Sequence, residues 1–376
     1  MIKNIFVLIW LFMTFSSSCF ADENICDNGN CKIIIDAGSS GSRAHVYQYD
    51  KDAENNIISI QEIYSNKITP GFASVSTSGV DAYLDNLFNK ISIKNIPVYF
   101  YATAGMRLLP DQEQKVLYQK LQDWFSLHKD WNLIDARTIS GKEEGVYGWL
   151  ATNYSLDTLR DNYHMGFIEI GGASTQIVFP VVNLEGIHPE DLVNLHLYNK
   201  DITLFAHSFL GLGANAITTR FKDYSDCFPV GYHLDNNQIG SGNARLCEHE
   251  IYELINADNY ISDIERPANI NNPQTKWYTV GAASSISRKS PINFQDEFNA
   301  DELLEKADSV YCKTNWDTQV SEYGDDKFLN QNCIISSFIY SLSVESYGFS
   351  PQQEIYNIPE NQTGDWTVGV LFSSAL

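Results

Sequence analysis

Short apolar runs alternate with helical patterns along the first half of the chain, and turn-forming residues separate them. Residues 32–49 predict two strands joined by a Gly/Ser turn, and residues 96–103 predict a buried strand. Helical spacing follows in residues 111–128, where the apolar positions are Val116, Leu117, Leu121, Trp124 and Phe125. Because strand and helix patterns alternate here, this half of the chain is predicted to have an α/β fold.

One hairpin pattern occurs twice. The segments IIIDAGSSGSRAHVY and GFIEIGGASTQIVF both run from apolar residues through an acid, one further residue and a glycine into small and hydroxyl residues. A second alternating strand follows in each. Asp36 corresponds to Glu169, and Gly38 corresponds to Gly171, about 130 residues later. The repeat predicts two related half-folds.

The two glycine-rich turns are candidate phosphate sites. Such turns expose backbone N–H groups and allow phosphate oxygens to approach closely, and hydroxyl side chains add donors. One copy alone is more typical of a plain hairpin turn with a capping aspartate. Two copies favour a clamp that holds a polyphosphate from both sides. The acids Asp36 and Glu169 suggest a divalent cation held through water, because Mg²⁺ and Ca²⁺ take oxygen ligands.

Other segments offer weaker signals. ATAGMR at residues 102–107 is either an ordinary strand-to-helix loop or a third contributor to the same cleft. GKEEGVYGW at residues 141–149 is either a solvated helix start or the source of a carboxylate that activates water. GLGANA at residues 211–216 matches a dinucleotide fingerprint formally but lacks a ribose-binding acid at the right spacing. Residues 222–275 are polar and suggest loops, and residues 333–349 predict a helix.

Composition excludes some classes of partner. The formal net charge of −22 argues against nucleic acid or an anionic membrane as a partner. A small anionic ligand remains compatible if a cation lies between ligand and protein. Residues 1–21 carry a lysine, an apolar run and small residues, which predicts a cleaved secretory signal peptide followed by an N-terminal segment at 22–31. The alternative for residues 1–21 is an uncleaved membrane anchor.

Cysteine usage agrees with export. Six cysteines remain once Cys19 of the signal is removed, and an even number in an exported chain suggests disulfides. Clustering favours neighbouring pairs, although six cysteines allow fifteen pairings in principle. The predicted pairs are Cys26–Cys31, Cys227–Cys247 and Cys312–Cys333. No CxxC pair occurs, so a cysteine zinc site is not expected.

Five segments together resemble the signature regions of the nucleoside triphosphate diphosphohydrolases, or apyrases. They are DAGSSGSRAHVY, YATAGMR, ISGKEEGVYGWLATNY, EIGGASTQI and DWTVG, and they occur in the order of that family. The resemblance implies a two-lobed, actin- and hexokinase-like (RNase H-like) α/β fold with the active site in the cleft between the lobes. Lobe I would comprise residues 32–140 plus 340–376, and lobe II would comprise residues 141–339.

The resemblance also implies roles for individual residues. Glu144 matches the general base, and Ser174 and Gln176 match the residues that position the attacking water. Asp36 and Glu169 match the acids that hold a hydrated Ca²⁺ or Mg²⁺, although the family usually has Asp where Glu169 stands. The positions that match phosphate contacts are Ser39, Ser40, Gly41, Thr103, Ala104, Gly171, Gly172 and Ala173, and Arg43 fits the apyrase type of first region.

The expected function is stepwise hydrolysis of nucleoside tri- and diphosphates by a secreted or periplasmic monomer, without a phosphoenzyme and without a membrane or nucleic-acid partner. One alternative is a related exopolyphosphatase or guanosine-pentaphosphate phosphatase, which shares the fold and similar glycine motifs. Another is an actin-like nucleotide binder without catalysis. An export signal and the sequences EEGVYGW and DAGSSGSR favour the apyrase.

Overall fold

A computed structural model describes residues 26, 29–161, 165–259, 270, 272, 275–324 and 326–375 of the chain. The predicted signal peptide at 1–21 lies outside the described residues, as does most of the segment 22–31. Within the described part, no helix is long and apolar enough to cross a membrane.

Five strands from the first part of the chain form one sheet. They are β1 (Cys31–Ala37), β2 (Ser42–Lys51), β3 (Ile57–Ile68), β4 (Pro97–Ala102) and β5 (Asn132–Thr138), in the spatial order β3-β2-β1-β4-β5. β1 pairs antiparallel with β2 and parallel with β4. Parallel pairing requires a crossover, and α1 (Val80–Phe88) lies in the connection that returns to β4. The predicted strands at 32–49 and 96–103 are therefore confirmed.

The predicted helix at 111–128 is also confirmed. It is α3, Asp111–Leu127, and it follows the short α2, Ala104–Arg107. Leu117, Leu121, Trp124 and Phe125 are buried in the core of the first sheet, whereas Val116 is exposed. The apolar stripe is thus narrower than the sequence suggested, because Val116 lies beside the buried face of α3.

Seven strands form the second sheet. They are β6 (Gly166–Ile170), β7 (Ser174–Pro180), β8 (Leu192–Leu197), β9 (Lys200–Leu210), β10 (Trp277–Gly281), β11 (Glu297–Phe298) and β12 (Ile355–Asn357), in the order β11-β12-β10-β6-β7-β9-β8. The helices that accompany it are α5 (Ala214–Arg220), α6 (Ala244–Asn259), α7 (Ala282–Arg288), α8 (Ala300–Ala307), α9 (Trp316–Tyr323) and α10 (Asn332–Tyr340). The predicted helix at 333–349 is α10, which continues as a π-helical turn over Ser341–Ser346.

The carboxy-terminal segment does not pack as the expected lobe boundaries require. Residues 340–376 were assigned to the first lobe, yet Leu342, Tyr347 and Phe349 lie in the second core. β12 pairs parallel with β10 of the second sheet. Only the end of the segment leaves that core. The sequence pattern could not resolve this, because an apolar run does not specify which of two cores will bury it.

Helix α4 (Gly141–Ser155) joins the two halves. Ser140 begins it with a capping box, in which the hydroxyl accepts a hydrogen bond from the Glu143 N–H and the Glu143 carboxylate accepts one from the Ser140 N–H. A third apolar cluster surrounds α4 and contains Ile34 of the first sheet and Phe167 of the second. α11 (Trp366–Gly369) packs against α4 in the same cluster. The segment between the sheets is therefore held from both sides.

The polar stretch 222–275 is less loop-like than expected, because it contains α6. Cys247, Ile251 and Ile255 recur at helical spacing and are buried, and charged residues on the other face obscured this period in the sequence. The three predicted disulfides are confirmed: Cys26–Cys31, Cys227–Cys247 and Cys312–Cys333 are bonded.

Candidate active site

The repeated sequence pattern is a repeated structure. β1 and β2 form an antiparallel hairpin in which Asp36 pairs with Arg43, and β6 and β7 form one in which Glu169 pairs with Gln176. The first hairpin belongs to the first sheet and the second belongs to the second sheet. The predicted internal repeat is confirmed, and it extends to the register of the strands.

The turns of these two hairpins face each other at close range. A Cβ atom placed on Gly172 of the second turn would lie 2.8 Å from the Ser39 Oγ of the first. The residue after Ala104 approaches the same point, because a Cβ on Gly105 would lie 2.9 Å from the Ser39 Cα. Real Cβ atoms do not approach that closely, so glycine is required at Gly105, where the neighbour is backbone, whereas a Cβ at Gly172 would force the Ser39 hydroxyl to move. Three separate glycine-containing segments therefore converge.

A cavity of about 350 Å³ lies where these segments meet. Its lining includes predicted site residues from the two turns, from the Thr103 loop and from α4. They are Asp36, Ser39, Ser40, Arg43, Thr103, Ala104, Glu144, Glu169, Gly171, Gly172, Ala173 and Ser174. Asp36 and Glu169 therefore share one cavity, as the clamp hypothesis requires.

Two predicted residues lie outside the lining. Gly41 is buried against β3, and a Cβ there would lie 2.7 Å from the Ile68 carbonyl oxygen. The α-carbon of Gly41 therefore packs against β3, and its phosphate contact stays a prediction. Gly38 lines the cavity instead. Gln176 lies behind Ser174, is almost completely buried, and donates a hydrogen bond from Nε2 to the Ser174 Oγ at 2.8 Å.

Glu144 is a buried carboxylate with a cationic partner that the sequence did not identify. It forms an ion pair with Arg107, the last residue of α2, and both side chains are largely shielded from solvent. Burial raises the pKa of Glu144, and the Arg107 guanidinium opposes this shift without cancelling it. Arg107 belongs to the motif ATAGMR, but nothing in the local sequence indicates that its partner lies on α4.

Several carboxylates converge on the cavity. Burial raises the pKa of Asp36 to about 7, and the carboxylates of Asp365 and Glu144 contribute further. Burial also raises the pKa of Glu169 well above its usual value, with contributions from Glu144 and Asp36. Like charges at short range disfavour ionisation of each other. The arrangement therefore favours a positively charged ligand.

The residues fit a hydrated divalent cation. Within the described residues, the Oε2 atom of Glu169 is buried without a hydrogen-bond partner, although it belongs to a side chain that lines the cavity. Oxygen donors of this kind suit Ca²⁺ and Mg²⁺. No three His, Cys, Asp or Glu side chains of the described part lie close enough together to hold a metal directly. Ligation through water is consistent with both observations.

The segment DWTVG and the glycine that precedes it supply cavity residues that were not predicted. Gly364, Asp365 and Trp366 line the cavity, next to Gly281 at the end of β10. Asp365 caps α11 through Oδ1, which accepts from the Thr367 N–H at 3.0 Å. Its Oδ2 lies 3.9 Å from Arg43 Nη1. The motif was visible in the sequence, but its position in the cleft depends on long-range packing.

The buried face of β2 lies beside Asp365. His45 is 2% exposed, its Nδ1 lies 2.6 Å from Glu62 Oε1, and its Nε2 lies 3.6 Å from Asp365 Oδ2. Burial lowers the pKa of His45, but the hydrogen bond to Glu62 and the Asp365 carboxylate raise it overall. Tyr47, two residues further along the strand, bonds to the Thr367 Oγ1 at 2.7 Å. The first hairpin thus contacts the terminal segment directly.

GLGANA supports the second turn and forms no separate nucleotide site. A Cβ on Gly213 would lie 2.3 Å from the Ala173 N, so the segment packs directly on the turn. Ala214 N–H donates to the Gly171 carbonyl at 2.9 Å, and Asn215 N–H donates to the Gly172 carbonyl at 3.0 Å. These bonds fix the carbonyl groups of the turn and leave its other face to the cavity.

Two sheets whose hairpin turns face each other at a carboxylate-lined cleft define an α/β fold of the actin- and hexokinase-like class. Within this class the chain belongs to the GDA1/CD39 (nucleoside phosphatase) family, whose model matches residues 24–375. The resemblance to nucleoside triphosphate diphosphohydrolases and the assignment as an enzyme of that kind are confirmed.

Individual relatives agree with this family. The chain is 25% identical over 417 residues to ectonucleoside triphosphate diphosphohydrolase 3 of Homo sapiens, covering 91% of this chain and 77% of the relative. It is 29% identical over 393 residues to the Golgi apyrase of Schizosaccharomyces pombe, covering 84% and 66%. A crystal structure of nucleoside triphosphate hydrolases from Neospora caninum superposes with a TM-score of 0.64 at 16% identity, covering 92% of both chains. The predicted fold class is confirmed.

Proposed function

We propose that the protein is an exported apyrase that hydrolyses nucleoside triphosphates and diphosphates stepwise to monophosphates and phosphate. The observation that carries the proposal is the contact between the two turns, with Gly172 placed against Ser39 and the buried Glu144 in the same cavity. A terminal phosphate between these turns meets donors from both sides and a carboxylate within the cleft.

The turns bind the phosphates. Gly172 and Ala173 of the second turn line the cavity together with Ser39 and Ser40 of the first, so backbone N–H groups and hydroxyls of both turns supply donors, and Thr103 adds a hydroxyl from the third segment. Gly171 lines the cavity as well, but its N–H already donates to the Ser174 carbonyl at 3.0 Å. Arg43, whose side chain is 40% exposed, supplies a cationic fork at the rim of the cavity. Donors on both sides hold the terminal phosphorus in place for attack, which is where most of the catalysis of phosphoryl transfer arises.

Glu144 takes a proton from the attacking water. The water oxygen forms a bond to the terminal phosphorus, the bridging P–O bond breaks, and the shortened nucleotide leaves with the bridging oxygen. A raised pKa brings the Glu144 carboxylate closer to the neutral range in which a general base works best. The Arg107 guanidinium holds the carboxylate in position. Ser174 and Gln176 orient the water.

Asp36 and Glu169 hold Ca²⁺ or Mg²⁺ through its bound waters. When bound, the cation neutralises phosphate charge and stabilises the charge that develops during transfer. The buried, unpartnered Oε2 atom of Glu169 and the convergent carboxylates support this assignment. Glu169 is one methylene longer than the aspartate usual in the family, which water-mediated binding tolerates.

Export and a monomeric state complete the proposal. The signal-like residues 1–21 and the three disulfides are typical of a secreted or periplasmic protein. One relative is named a Golgi apyrase, a location within the secretory pathway. The strongly negative charge agrees with nucleotides as partners only if the cation accompanies them.

Phosphate release from ATP, ADP, AMP and polyphosphate, each with Ca²⁺, Mg²⁺, EGTA or EDTA, tests the proposal. We expect metal-dependent release from ATP and ADP and none from AMP. Polyphosphate hydrolysis in preference to ATP would point to an exopolyphosphatase, and nucleotide binding without turnover would point to a non-catalytic binder.

Glu144→Gln tests the base within the same assay. We expect a loss of about 10²–10⁴-fold in kcat, the usual contribution of a general base. Glu143→Gln is the matched control, because Glu143 caps the same helix and pairs with Arg137 outside the cavity. Full activity of Glu144→Gln, or an equal loss in both variants, contradicts the assignment.

A further inference from the structure

We infer that Ser208 is a positioning residue that sets the orientation of the Gln176 carboxamide. The inference rests on the proposed function, in which Gln176 orients the attacking water. Ser208 lies on β9, was not predicted as a site residue, and does not line the cavity. Its effect on the reaction therefore passes through Gln176.

The register of the second sheet places Ser208 beside Gln176. Glu169 on β6 pairs with Gln176 on β7, and Gln176 pairs with Ser208 on β9. Residues in register on adjacent strands project from the same face of a sheet. One row across three strands thus runs from a carboxylate in the cavity, through a buried amide, to a hydroxyl behind it.

The hydrogen bonds of Gln176 leave one atom free. Its Nε2 carries two protons, and it donates to the Ser174 Oγ at 2.8 Å and to the Ser208 Oγ at 3.0 Å. Its Oε1 is buried and has no hydrogen-bond partner in the described chain. The two serines therefore use both donors, so that the group still available to a water molecule is an acceptor.

This orientation matches the requirement of the reaction. A water that attacks phosphorus must have its own protons accepted elsewhere, and Glu144 accepts only one of them. Rotation of the amide by half a turn would turn Oε1 toward the two serines, whose hydroxyls would then have to donate instead of accept. Removing the Ser208 hydroxyl leaves one Nε2 proton without a partner, so that Ser174 alone holds the carboxamide. The position of Oε1 relative to the water is then less fixed.

Ser208 also lies against the start of the helix that carries Glu144. A Cβ on Gly141 would lie 2.0 Å from the Ser208 Oγ and 2.5 Å from Arg107 Nη1. Both the hydroxyl and the guanidinium thus pack on the first residue of α4, three residues before Glu144. Ser208 thus contacts Gly141 as well as Gln176, and the contact with Gly141 restricts movement of the hydroxyl that holds the Gln176 amide.

A double-mutant cycle tests the inference. We expect Ser208→Ala to lower kcat for ATP and ADP about 10-fold, the loss that one ordinary hydrogen bond accounts for, with KM changed less than about twofold. In a Gln176→Ala background, Ser208→Ala is expected to have no further effect on kcat, because the group through which it acts is gone. A merely structural serine would lower activity equally in both backgrounds.

Two further variants make the result interpretable. Thr203→Val on the same strand is the control. The Thr203 Oγ1 donates a hydrogen bond of 2.9 Å to the exposed Asn194, and neither residue lines the cavity. We therefore expect unchanged kinetics. Ser208→Cys keeps a weaker acceptor and is expected to retain more kcat than Ser208→Ala. It serves as the second variant if Ser208→Ala lowers the melting temperature.

The outcomes separate this inference from the proposed function. If Gln176→Ala lowers kcat but Ser208→Ala does not, or if the two losses multiply, Ser208 has no positioning role and the assignment of Gln176 stands. If Gln176→Ala leaves kcat unchanged, the water-positioning role of Gln176 fails and the inference fails with it. Only a loss in Ser208→Ala that disappears in the Gln176→Ala background supports the inference.

Discussion

The two hairpins share a register but differ at the residue opposite the acid. Asp36 pairs with Arg43, a charged side chain that is 40% exposed, whereas Glu169 pairs with Gln176, which is 1% exposed. The half-exposed guanidinium of Arg43 lies at the rim of the cavity, whereas the buried amide of Gln176 lies behind the cavity wall. The repeat therefore supplies the same backbone geometry twice, while each copy carries a different chemical group.

The contacts that surround the two turns also differ. The first hairpin contacts the terminal segment through the buried face of β2, where His45 and Tyr47 meet Asp365 and Thr367. The second turn is fixed by backbone hydrogen bonds from the segment that starts α5. The internal repeat thus gives two similar turns, and the chemical groups around each turn depend on what each sheet packs against.

Substitution of Asp36 and Glu169 is the strongest test of whether the two hairpins contribute equally to one cation site. If Asp36 and Glu169 hold one hydrated cation between them, Asp36→Asn and Glu169→Gln should each lower activity about 10–100-fold at limiting Ca²⁺ or Mg²⁺, the usual effect of weakening a metal's surroundings. Higher metal concentration should restore part of the loss. Metal titrations of ATP hydrolysis measure the shift in the concentration required.

A matched control separates charge from length at the second acid. Glu169→Asp keeps the carboxylate and restores the residue usual in the family, so we expect it to retain most of the activity with a changed metal requirement. A large loss in only one of the two neutral variants would break the comparison, because the cation would then belong to a single hairpin.

The two turns are each supported by a glycine from elsewhere in the chain. A Cβ on Gly71 would lie 2.5 Å from the carbonyl oxygens of Gly38 and Ser39 in the first turn. A Cβ on Gly213 would lie 2.3 Å from the Ala173 N in the second turn. Both contacts are with backbone, which cannot give way by a rotamer change.

We therefore expect Gly71→Ala and Gly213→Ala to lower the free energy of unfolding by about 1–3 kcal/mol each, the usual cost of overpacking. Both should also lower kcat, since each displaces a phosphate-binding turn. Gly79→Ala is the control, because its nearest neighbour is the Ser76 Oγ at 3.1 Å, the end of an exposed side chain. Denaturant unfolding and ATP hydrolysis measure both quantities, and a loss of stability without a loss of kcat would contradict the placement of the turns.

Much of the fold was accessible from local patterns. The hairpin repeat, α3 and the neighbouring disulfides depend on periodicity, turn chemistry and short spacings, which a sequence displays directly. Glu144 was identified through its motif, and the structure adds that it is buried with Arg107. That pairing joins residues on two helices whose approach depends on the whole first sheet.

The remaining features depend on packing between distant segments. The resemblance implies a phosphate contact for Gly41, and the close packing of Gly41 against Ile68 depends on β3, which no local pattern reveals. The membership of β12 in the second sheet and the position of Asp365 in the cavity have the same origin. A short motif indicates that a residue has a functional or structural role. Only the tertiary contacts show whether that residue lines the cavity or packs against another strand.

The smallest expected effect concerns the difference between the hairpins themselves. Arg43→Gln places the same residue type at both positions opposite the acids, so it tests whether the charge at the rim is needed. We expect KM for ATP to rise several-fold with kcat changed less than about twofold, because a half-exposed cation contributes modestly to binding. Arg43→Lys keeps the charge and should show a smaller rise. Stability should change by less than about 1 kcal/mol, since the ion pair with Asp365 is partly exposed. A large fall in kcat with unchanged KM would instead place Arg43 at the reacting phosphate, and the two hairpins would then both act in the chemical step.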